Sequence, residues 1–444
     1  MTAYPKILAL TLAIGAVAAP AQAADWTTQT LGSPETNVEQ TAIAPDGSAL
    51  ALVGSQLHVD YGAKRHAVYT KTAGSRFTRQ LQLNGYADYV AGIRSGGQAI
   101  LASSGADDIV LRLRPSASSA WRTVKLAADP GAYWREAPQL VSTPGGRWII
   151  AATQAQGNDT PDDADEDIIT TVVYEVSATG EIRFKSNPIP NSLNLHGLAA
   201  TQSGAKYLLT EKPSVAGEQR VGTTVVYSYD KGKAKAISAP LPITNAAVAA
   251  GVSTGAIAGT DPANCQDVGE CVGRTLHYRI TSGGQVLDLG QVASTDSASA
   301  KRLQANPAVT FLSLDKIVVS WDTKNRQTRA FAGRRYAFIS TTHPRRAPDA
   351  YALGETGDYP APAADPLPLS GNRVFMTWAT FGTAKSVSAK TVNIAENDKQ
   401  APALNLGRLI NDGRFNAATG GSWAIVGGDV GKNARRATVS VRRF

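Results

Sequence analysis

Three observations predict an all-β fold, a single β-propeller. They are a recurring sequence unit, the amino-acid composition and the absence of helical periodicity. The unit is clearest at residues 41–53 (TAIAPDGSALALV), where a Pro-Asp-Gly turn joins two short apolar strands. Degenerate copies of it recur to the C-terminus. Gly makes up 41 of 444 residues and only 18% are charged, which suits many short strands joined by turns. No stretch keeps a helical period over three turns.

Eight copies of the unit align on their second strands. These strands begin at positions 49, 98, 147, 206, 254, 316, 373 and 422, so they are 48 to 62 residues apart. Such a period, with four strands per unit, is typical of propeller blades. A pair of β-sandwiches is the alternative fold, but sandwiches do not keep one register over eight units. The spacing therefore predicts eight four-stranded blades, or seven if the weak fifth unit is an insertion.

Residues 1–23 have the three parts of a secretory signal. Lys6 is followed by an apolar core at 7–19 and by an Ala-x-Ala site that ends at Ala23. The core has 13 residues, fewer than the roughly 20 that span a bilayer. An uncleaved N-terminal anchor is the alternative. We expect cleavage after Ala23, a propeller over 24–444, no membrane span, and a secreted location, extracellular or periplasmic.

The strand that precedes the first unit, at 26–31 (WTTQTL), is expected to close the ring. The eighth unit supplies strands near 415–418, 423–426 and 437–441, and then the sequence ends. A blade needs four strands, so the N-terminal strand is predicted to complete the eighth blade. Closure of this kind protects an otherwise open sheet edge.

One turn carries a family resemblance. Ala44-Pro45-Asp46-Gly47 resembles the S-P-D-G turn of TolB-like and WD40-like propeller repeats. The Gly-His and Trp-Asp pairs of WD40 repeats do not recur, and the S-x-D-x-G-x-x-W box of sialidases is absent. The resemblance therefore implies a fold and no specific chemistry.

The formal net charge of +8 has no contiguous Lys/Arg run behind it. We therefore expect no nucleic-acid partner. In an exported protein, this balance suits an acidic polysaccharide or an anionic cell-wall polymer. Charge that serves only solubility is the alternative.

An acidic stretch and a cysteine pair are the candidates for a metal ion and a disulfide. Asp163, Asp165 and Asp167 alternate as in calcium-binding loops, whose oxygens converge on the cation. The turn glycine and the final Glu of such loops are missing, so a solvated acidic loop is the alternative. Cys265 and Cys271 lie in a polar loop without a CxxC or Cys/His cluster, which favours a disulfide over a metal site.

No local motif indicates catalysis. The sequence contains no G-x-S-x-G, P-loop or dinucleotide fingerprint, and its five histidines share no metal-binding spacing. In a propeller, however, catalytic groups can come from several blades and meet at the axis. The sequence therefore leaves open whether the protein is an enzyme, and no cofactor is expected beyond the calcium ion of the acidic loop.

The leading functional hypothesis is an extracellular binding or scaffold propeller, monomeric, for a polymer or a protein. Long loops between second and third strands share one face with the blade connections, and loops on a rigid scaffold often bind ligands. A glycan-active hydrolase or lyase with a site in the central funnel and a structural envelope protein are the alternatives. The candidate binding residues on this face are Tyr133, Trp134, His196, Lys324, Arg326, Arg329 and Tyr359.

Overall fold

The computed structural model describes sixteen segments of the chain. They are residues 26–33, 36–55, 65–84, 89–105, 107–157, 168–214, 221–261, 273–292, 302–325, 331–342, 350–352, 366–380, 386–393, 404–408, 415–429 and 436–444. The predicted signal at 1–23 lies outside them. Within these segments, the one helix is a single 3₁₀ turn, Ser95–Gly97, and no helix has the length and apolar character needed to cross a membrane.

The described strands form eight antiparallel sheets, numbered here along the chain. Sheet 1 contains β2 (Thr36–Ile43), β3 (Ala49–Ser55), β4 (Arg65–Lys71) and β5 (Thr78–Asn84). Sheet 2 contains β6 (Tyr89–Ile93), β7 (Ala99–Ser104), β8 (Asp108–Arg114) and β9 (Arg122–Ala127). Sheet 3 contains β11 (Gln139–Ser142), β12 (Trp148–Gln156), β13 (Ile168–Val176) and β14 (Ile182–Lys185), with β10 (Ala132–Trp134) and β15 (Ile189–Pro190) at its margins. Sheet 4 contains β16 (Asn194–Ala200), β17 (Lys206–Ser214), β18 (Val221–Asp230) and β19 (Lys233–Ala236).

The second half of the chain repeats the plan. Sheet 5 contains β20 (Thr244–Ala250), β21 (Gly255–Thr260), β22 (Thr275–Ile280) and β23 (Val286–Gln291). Sheet 6 contains β24 (Arg302–Phe311), β25 (Lys316–Asn325), β26 (Phe331–Ser340) and β27 (Ala350–Ala352). Sheet 7 contains β28 (Leu367–Leu369), β29 (Arg373–Thr380), β30 (Ser386–Asn393) and β31 (Leu404–Arg408). Sheet 8 contains β32 (Phe415–Gly420), β33 (Trp423–Asp429) and β34 (Ala437–Arg443), and β1 (Thr27–Leu31) is its fourth strand.

The sheets are arranged around an axis, which confirms the predicted all-β propeller. The first strand of each sheet, its inner strand, contacts the inner strand of the next sheet, and β32 of sheet 8 contacts β2 of sheet 1. β1 pairs with β34 in antiparallel register, from Thr27 opposite Val441 to Leu31 opposite Ala437. Among the described strands, β1 thus completes the four strands of sheet 8.

Strand direction gives the propeller two different faces. The turn face bears the turns between first and second strands and those between third and fourth strands. Its turns are bonded to one another: the Ser203 amide donates to the Val252 carbonyl at 2.8 Å, and the Gly96 amide donates to Asp46 at 2.7 Å. The hairpin face bears the hairpins between second and third strands and the connections between sheets.

The extra length of the long units is carried partly by strands and not only by loops. The sequence predicts long loops between second and third strands at 154–167, 213–222, 260–273 and 322–334, yet β12 runs to Gln156, and β25 and β26 are ten residues each. β17 and β18 likewise extend over nine and ten residues. These hairpins therefore raise paired strands on the hairpin face. Most of 260–273 lies outside the described segments.

The hydrophobic core lies between adjacent sheets. Trp148, only 2% exposed, packs among apolar residues of sheets 2 and 3, and Trp321 is fully buried between sheets 5 and 6. The second-strand position of both residues predicts this wedge-filling role. Gly92 of the neighbouring inner strand leaves room for the indole, because a Cβ there would lie 2.8 Å from the Trp148 ring.

Candidate functional site

Four inner strands are interrupted by a β-bulge near their hairpin-face ends. The register shifts occur in sheets 1, 4, 5 and 6, and the bulges contain Glu39, His196, Asn245 and Asn306. Each bulge lies opposite the fourth to seventh residue of its second strand, so the four are at similar depth. A bulge re-aims side chains. Because inner strands surround the axis, we call this polar set, with its bonding partners, the axial mouth.

Two of the bulges are built on asparagines in the left-handed region. Asn245 has φ of 47° and Asn306 has φ of 46°. Asparagine adopts this conformation more readily than most residues because its short polar side chain can bond locally. The local backbone therefore accounts for the residue type, and the amide group is placed at the mouth as a consequence.

The first polar group of the mouth joins sheets 8, 1 and 2. Glu39 Oε2 lies 2.9 Å from Nε2 of His66, which is 1% exposed, and the imidazole meets the Tyr89 ring edge-on at 4.9 Å. The Asn416 amide donates to the backbone carbonyl of Glu39 at 2.6 Å. The Glu39 carboxylate lies against Gly54, where a Cβ would collide with it.

The second group joins sheets 4 and 5 around Glu211. The Asn194 amide donates to its Oε2 at 2.7 Å, the Thr244 hydroxyl donates to its Oε1 at 3.1 Å, and His196 Nε2 lies 3.1 Å away. The carboxylate also lies against a glycine, Gly222 of β18. Burial raises the pKa of Glu211, but these three partners outweigh it and hold the pKa below the ordinary value.

The third group belongs to sheet 6. The Asn306 amide donates to Asp322 Oδ2 at 3.0 Å, and Arg334 approaches Asp322 Oδ1 at 3.5 Å while donating to Ser320 at 3.0 Å. Asn306 is exposed, and the other three side chains are largely buried. The exposed Asn306 amide is thus hydrogen-bonded to the Asp322 carboxylate, which lies beside the Arg334 guanidinium.

The mouth presents fixed hydrogen-bonding groups. The pKa of Glu211, a carboxyl of the mouth, is lowered by its hydrogen-bonding partners. Such a group accepts hydrogen bonds at neutral pH and holds no proton to donate. No cluster of three His, Cys, Asp or Glu suited to a metal ion occurs within the described segments.

The structure brings one predicted binding residue, His196, into this site. Tyr133 is 42% exposed on β10 at the margin of sheet 3, whereas Trp134 is 4% exposed and packs edge-on against Tyr174 at 6.4 Å. Lys324 is partly exposed near the hairpin end of β25. The remaining predicted site residues lie outside the described segments: Arg326, Arg329, Tyr359, Asp163, Asp165, Asp167, Cys265 and Cys271.

Sequence reasoning did not find Glu39, Glu211, Asn306 or Asn416. Their partners lie on other strands or other sheets, so no local spacing reports them. The one usable signal is the extra residue that each bulge adds to an inner strand, and it can be read only once the pairing of that strand is known.

Three of the five histidines fall in the described segments, and one is isolated from the mouth. His277 lies on β22, is 1% exposed, and faces the interface between sheets 5 and 6. Burial lowers its pKa to about 4, although Asp288 and the Gly290 carbonyl act in the other direction. His58 and His343 lie outside the described segments.

Comparison with known proteins agrees with the geometry. No family model and no curated protein matches the chain. Among solved structures, the Pyrococcus horikoshii acylaminoacyl peptidase is 8% identical with a TM-score of 0.50, and the match covers 88% of this chain and 57% of that one. The fold is a β-propeller.

Two further propellers match over most of both chains. The Dos1 propeller is 10% identical with a TM-score of 0.47, covering 94% of each chain. The propeller domain of the Trilobed protease from Pyrococcus furiosus is 8% identical with a TM-score of 0.46, covering 80% of this chain and 92% of that one. At such identities, the likeness concerns the fold alone.

Proposed function

We propose that the protein is an exported binding propeller that recognises a neutral, hydroxyl-rich polymer, such as a polysaccharide, at the axial mouth. The supporting observation is the set of three polar groups at one depth of the inner ring. Amide donors (Asn306 and Asn416) and ionised acceptors (Glu211) occur together there. Sugar hydroxyls donate and accept at once, so they match such a mixed surface.

The charge state of the mouth favours a neutral ligand. Glu39 and Glu211 each lie beside a histidine, and Asp322 lies beside Arg334. Each carboxylate therefore already has a partner within the protein, so the three clusters offer direction and shape more than a free ion-pairing group. Recognition of an acidic or basic ligand would need an excess of one sign.

The lowered pKa of Glu211 supports binding over hydrolysis. Glycoside hydrolysis uses one carboxyl group with a raised pKa as an acid beside a second carboxylate. Glu211 is buried, as such an acid would be, but its three partners stabilise the ionised form. The residue is suited to accepting hydrogen bonds from a ligand or from the groups that orient one.

Export is part of this proposal. Residues 1–23 supply a positive residue, an apolar core and a small-residue cleavage site, which supports placing the mature chain outside the cytoplasm, in the periplasm or the extracellular space. Bacterial envelopes and their surroundings are rich in polysaccharide, so location and mouth chemistry agree.

The test is a glycan-binding screen on the mature protein, residues 24–444, followed by calorimetry on the best neutral glycan. Glu211→Gln and Asn306→Gly should each weaken binding by about tenfold, since one hydrogen bond to a charged or fixed group is worth about 1.5 kcal/mol. Gly is chosen at position 306 because it keeps the positive φ. Gln80→Ala, on the exposed outer strand β5, is the matched control and should bind unchanged.

Two outcomes contradict the proposal. Unchanged affinity in both mouth variants, with circular dichroism showing folded protein, places binding elsewhere. Release of reducing ends from a glycan, lost in Glu211→Gln, shows the glycan-active hydrolase instead.

A further inference from the structure

The positive charge of the protein is concentrated on the turn face. The described turn-face segments contain thirteen Lys and Arg against four Asp and Glu, a surplus larger than the +8 of the whole chain. The segments are 44–49, 71–78, 94–99, 114–122, 143–148, 176–182, 201–206, 230–233, 250–255, 280–286, 312–316, 340–342, 369–373, 420–423 and 442–444. The rest of the chain is therefore close to neutral.

The basic residues recur around the ring. In seven of the eight described sheets, one of them stands at the turn-face end of the two central strands, in the last cross-strand pair or one residue beyond it. They are Lys71, Arg114, Arg147, Lys206, Lys316, Arg373 and Arg443. In sheet 5 the nearest basic residue, Arg279, lies one pair further in and donates to the Thr341 carbonyl at 3.3 Å. Lys71 and Arg114 are buried, and the other five are at least partly exposed. Of the exposed ones, Arg147 and Lys206 are paired with Glu175, and Lys316, Arg373 and Arg443 leave positive charge on this face.

The one sheet without such a residue carries an apolar tip. The turns of sheet 5, at 250–255 and 280–286, contain no charged residue, and Val252 there is 46% exposed. On sheet 6 beside it, Leu314 is 64% exposed, the highest value among the described large hydrophobic side chains. Exposed Lys231, Lys233 and Lys316 flank this sector, together with Asp230 and Asp315.

The described turns of this face are bonded to one another. The turns between first and second strands are short, and hydrogen bonds hold neighbouring turns together: Ser203 to Val252 at 2.8 Å, and Ser370 to Gly421 at 2.8 Å. Basic residues beside two exposed apolar side chains suit a surface that is anionic outside and apolar just below.

We propose that the turn face docks on an anionic lipid bilayer. Lys and Arg near such a surface are attracted to its negative potential, and exposed apolar side chains at the contact add burial among the headgroups. Val252 and Leu314 insert, and Lys231, Lys233 and Lys316 lie at headgroup level. The axial mouth, on the opposite face, then points away from the membrane.

The experiment is co-sedimentation of the mature protein with vesicles of phosphatidylcholine, alone or mixed with phosphatidylglycerol. Binding should require phosphatidylglycerol and weaken at high NaCl. Charge reversal at all three flanking lysines (K231E, K233E and K316E together) should reduce the partition coefficient at least tenfold, since each basic residue contributes roughly fivefold. Leu314→Ser should reduce it severalfold.

Matched controls keep the result specific. Arg65→Glu combined with Lys125→Glu changes charge on the hairpin face, and Ile168→Ser removes a 52% exposed isoleucine from the hairpin-face end of β13. Both should bind vesicles as the parent protein does, and all variants should keep the parent circular dichroism spectrum.

Three results overturn the proposal. One is equal binding to vesicles with and without phosphatidylglycerol. Another is undiminished binding by the triple-lysine variant. The third is retention by a soluble acidic polysaccharide such as alginate, with no binding to vesicles, which would assign the basic face to a polyanion in solution. None of these results bears on ligand binding at the axial mouth.

Discussion

Glu211 shows how a buried charge is kept in this fold. Burial alone would favour the neutral acid, yet the bonds from Asn194 and Thr244 and the nearby His196 hold the pKa below its ordinary value. The unfolded chain therefore takes up a proton at higher pH than the folded chain. The stability that Glu211 contributes is fully present above about pH 4.5 and is lost as the pH falls below it.

His277 is the opposite case, a base that burial keeps neutral. Its pKa is about 4 in the folded protein against 6.5 in a model peptide. Between these values the unfolded chain binds more protons, so stability falls as the pH is lowered from 6.5 to 4. The two histidines of the mouth lie beside carboxylates, and His277 has only Asp288 and the Gly290 carbonyl to oppose its burial.

We expect His277 to contribute roughly 3 kcal/mol to the loss of unfolding free energy between pH 6.5 and pH 4, from its pKa difference. Urea denaturation at several pH values measures this. His277→Leu should flatten the profile in that window and leave the decline below pH 4.5 that comes from Glu211. An unchanged profile in His277→Leu would show that the imidazole can be protonated in place.

At the scale of the strand, the N-terminal β1 has the clearest task. It pairs with β34 along five residues, and Leu31 at its end is 2% exposed in the core between sheets 8 and 1. The Gln29 side chain bonds the backbone of Phe77 in both directions, at 2.9 and 3.0 Å. β1 thus covers an edge and ties sheet 8 to sheet 1.

Deletion of residues 26–31 should lower the unfolding free energy by several kcal/mol, because loss of the Leu31 side chain alone costs about 2 to 5 kcal/mol. It should also favour oligomers through the exposed edge of β34. Urea denaturation and size-exclusion chromatography measure the two effects. Thr30→Ala, at an exposed position of the same strand, is the control and should change little. A monomer of parental stability would contradict the closing role.

Strands proved more predictable than bulges, for a physical reason. The second strands are short apolar runs after a turn, as at Ala49–Ser55, so local pattern suffices. Asp46 in the preceding turn also has a local role, accepting a bond from the Ser48 amide at 2.9 Å. The bulges at Glu39 and His196 depend on register with a partner strand, which no local pattern reveals. The sequence was therefore sufficient to predict the fold but not the axial mouth.

At the scale of the whole molecule, the two faces differ in charge and in shape. The hairpin face carries long paired hairpins and compensated pairs such as Lys125 with Asp108 at 2.6 Å. The turn face carries short bonded turns and a basic surplus that is only partly compensated, since Glu175 pairs with Arg147 and Lys206. Sequence totals report the surplus of +8 but not its location, because the residues concerned are scattered along the chain. They lie on one face of the folded protein because equivalent strands of the sheets run in the same direction.

Crowding of like charges has a cost in the folded state, which predicts opposite effects for the same substitution on the two faces. Repulsion across the turn face is screened beyond roughly 10 Å at 0.1 M salt, so stability should rise with added NaCl. Arg76→Glu, in an exposed turn of sheet 1, relieves repulsion and should raise the melting temperature by about 1 °C at low salt. Lys125→Glu leaves Asp108 beside a second negative charge and should lower it. Thermal denaturation at low and high NaCl measures both shifts, and both should shrink at high salt. If Arg76→Glu lowers the melting temperature at low salt, the basic residues of the turn face are compensated, and the charge asymmetry on which membrane docking depends is absent.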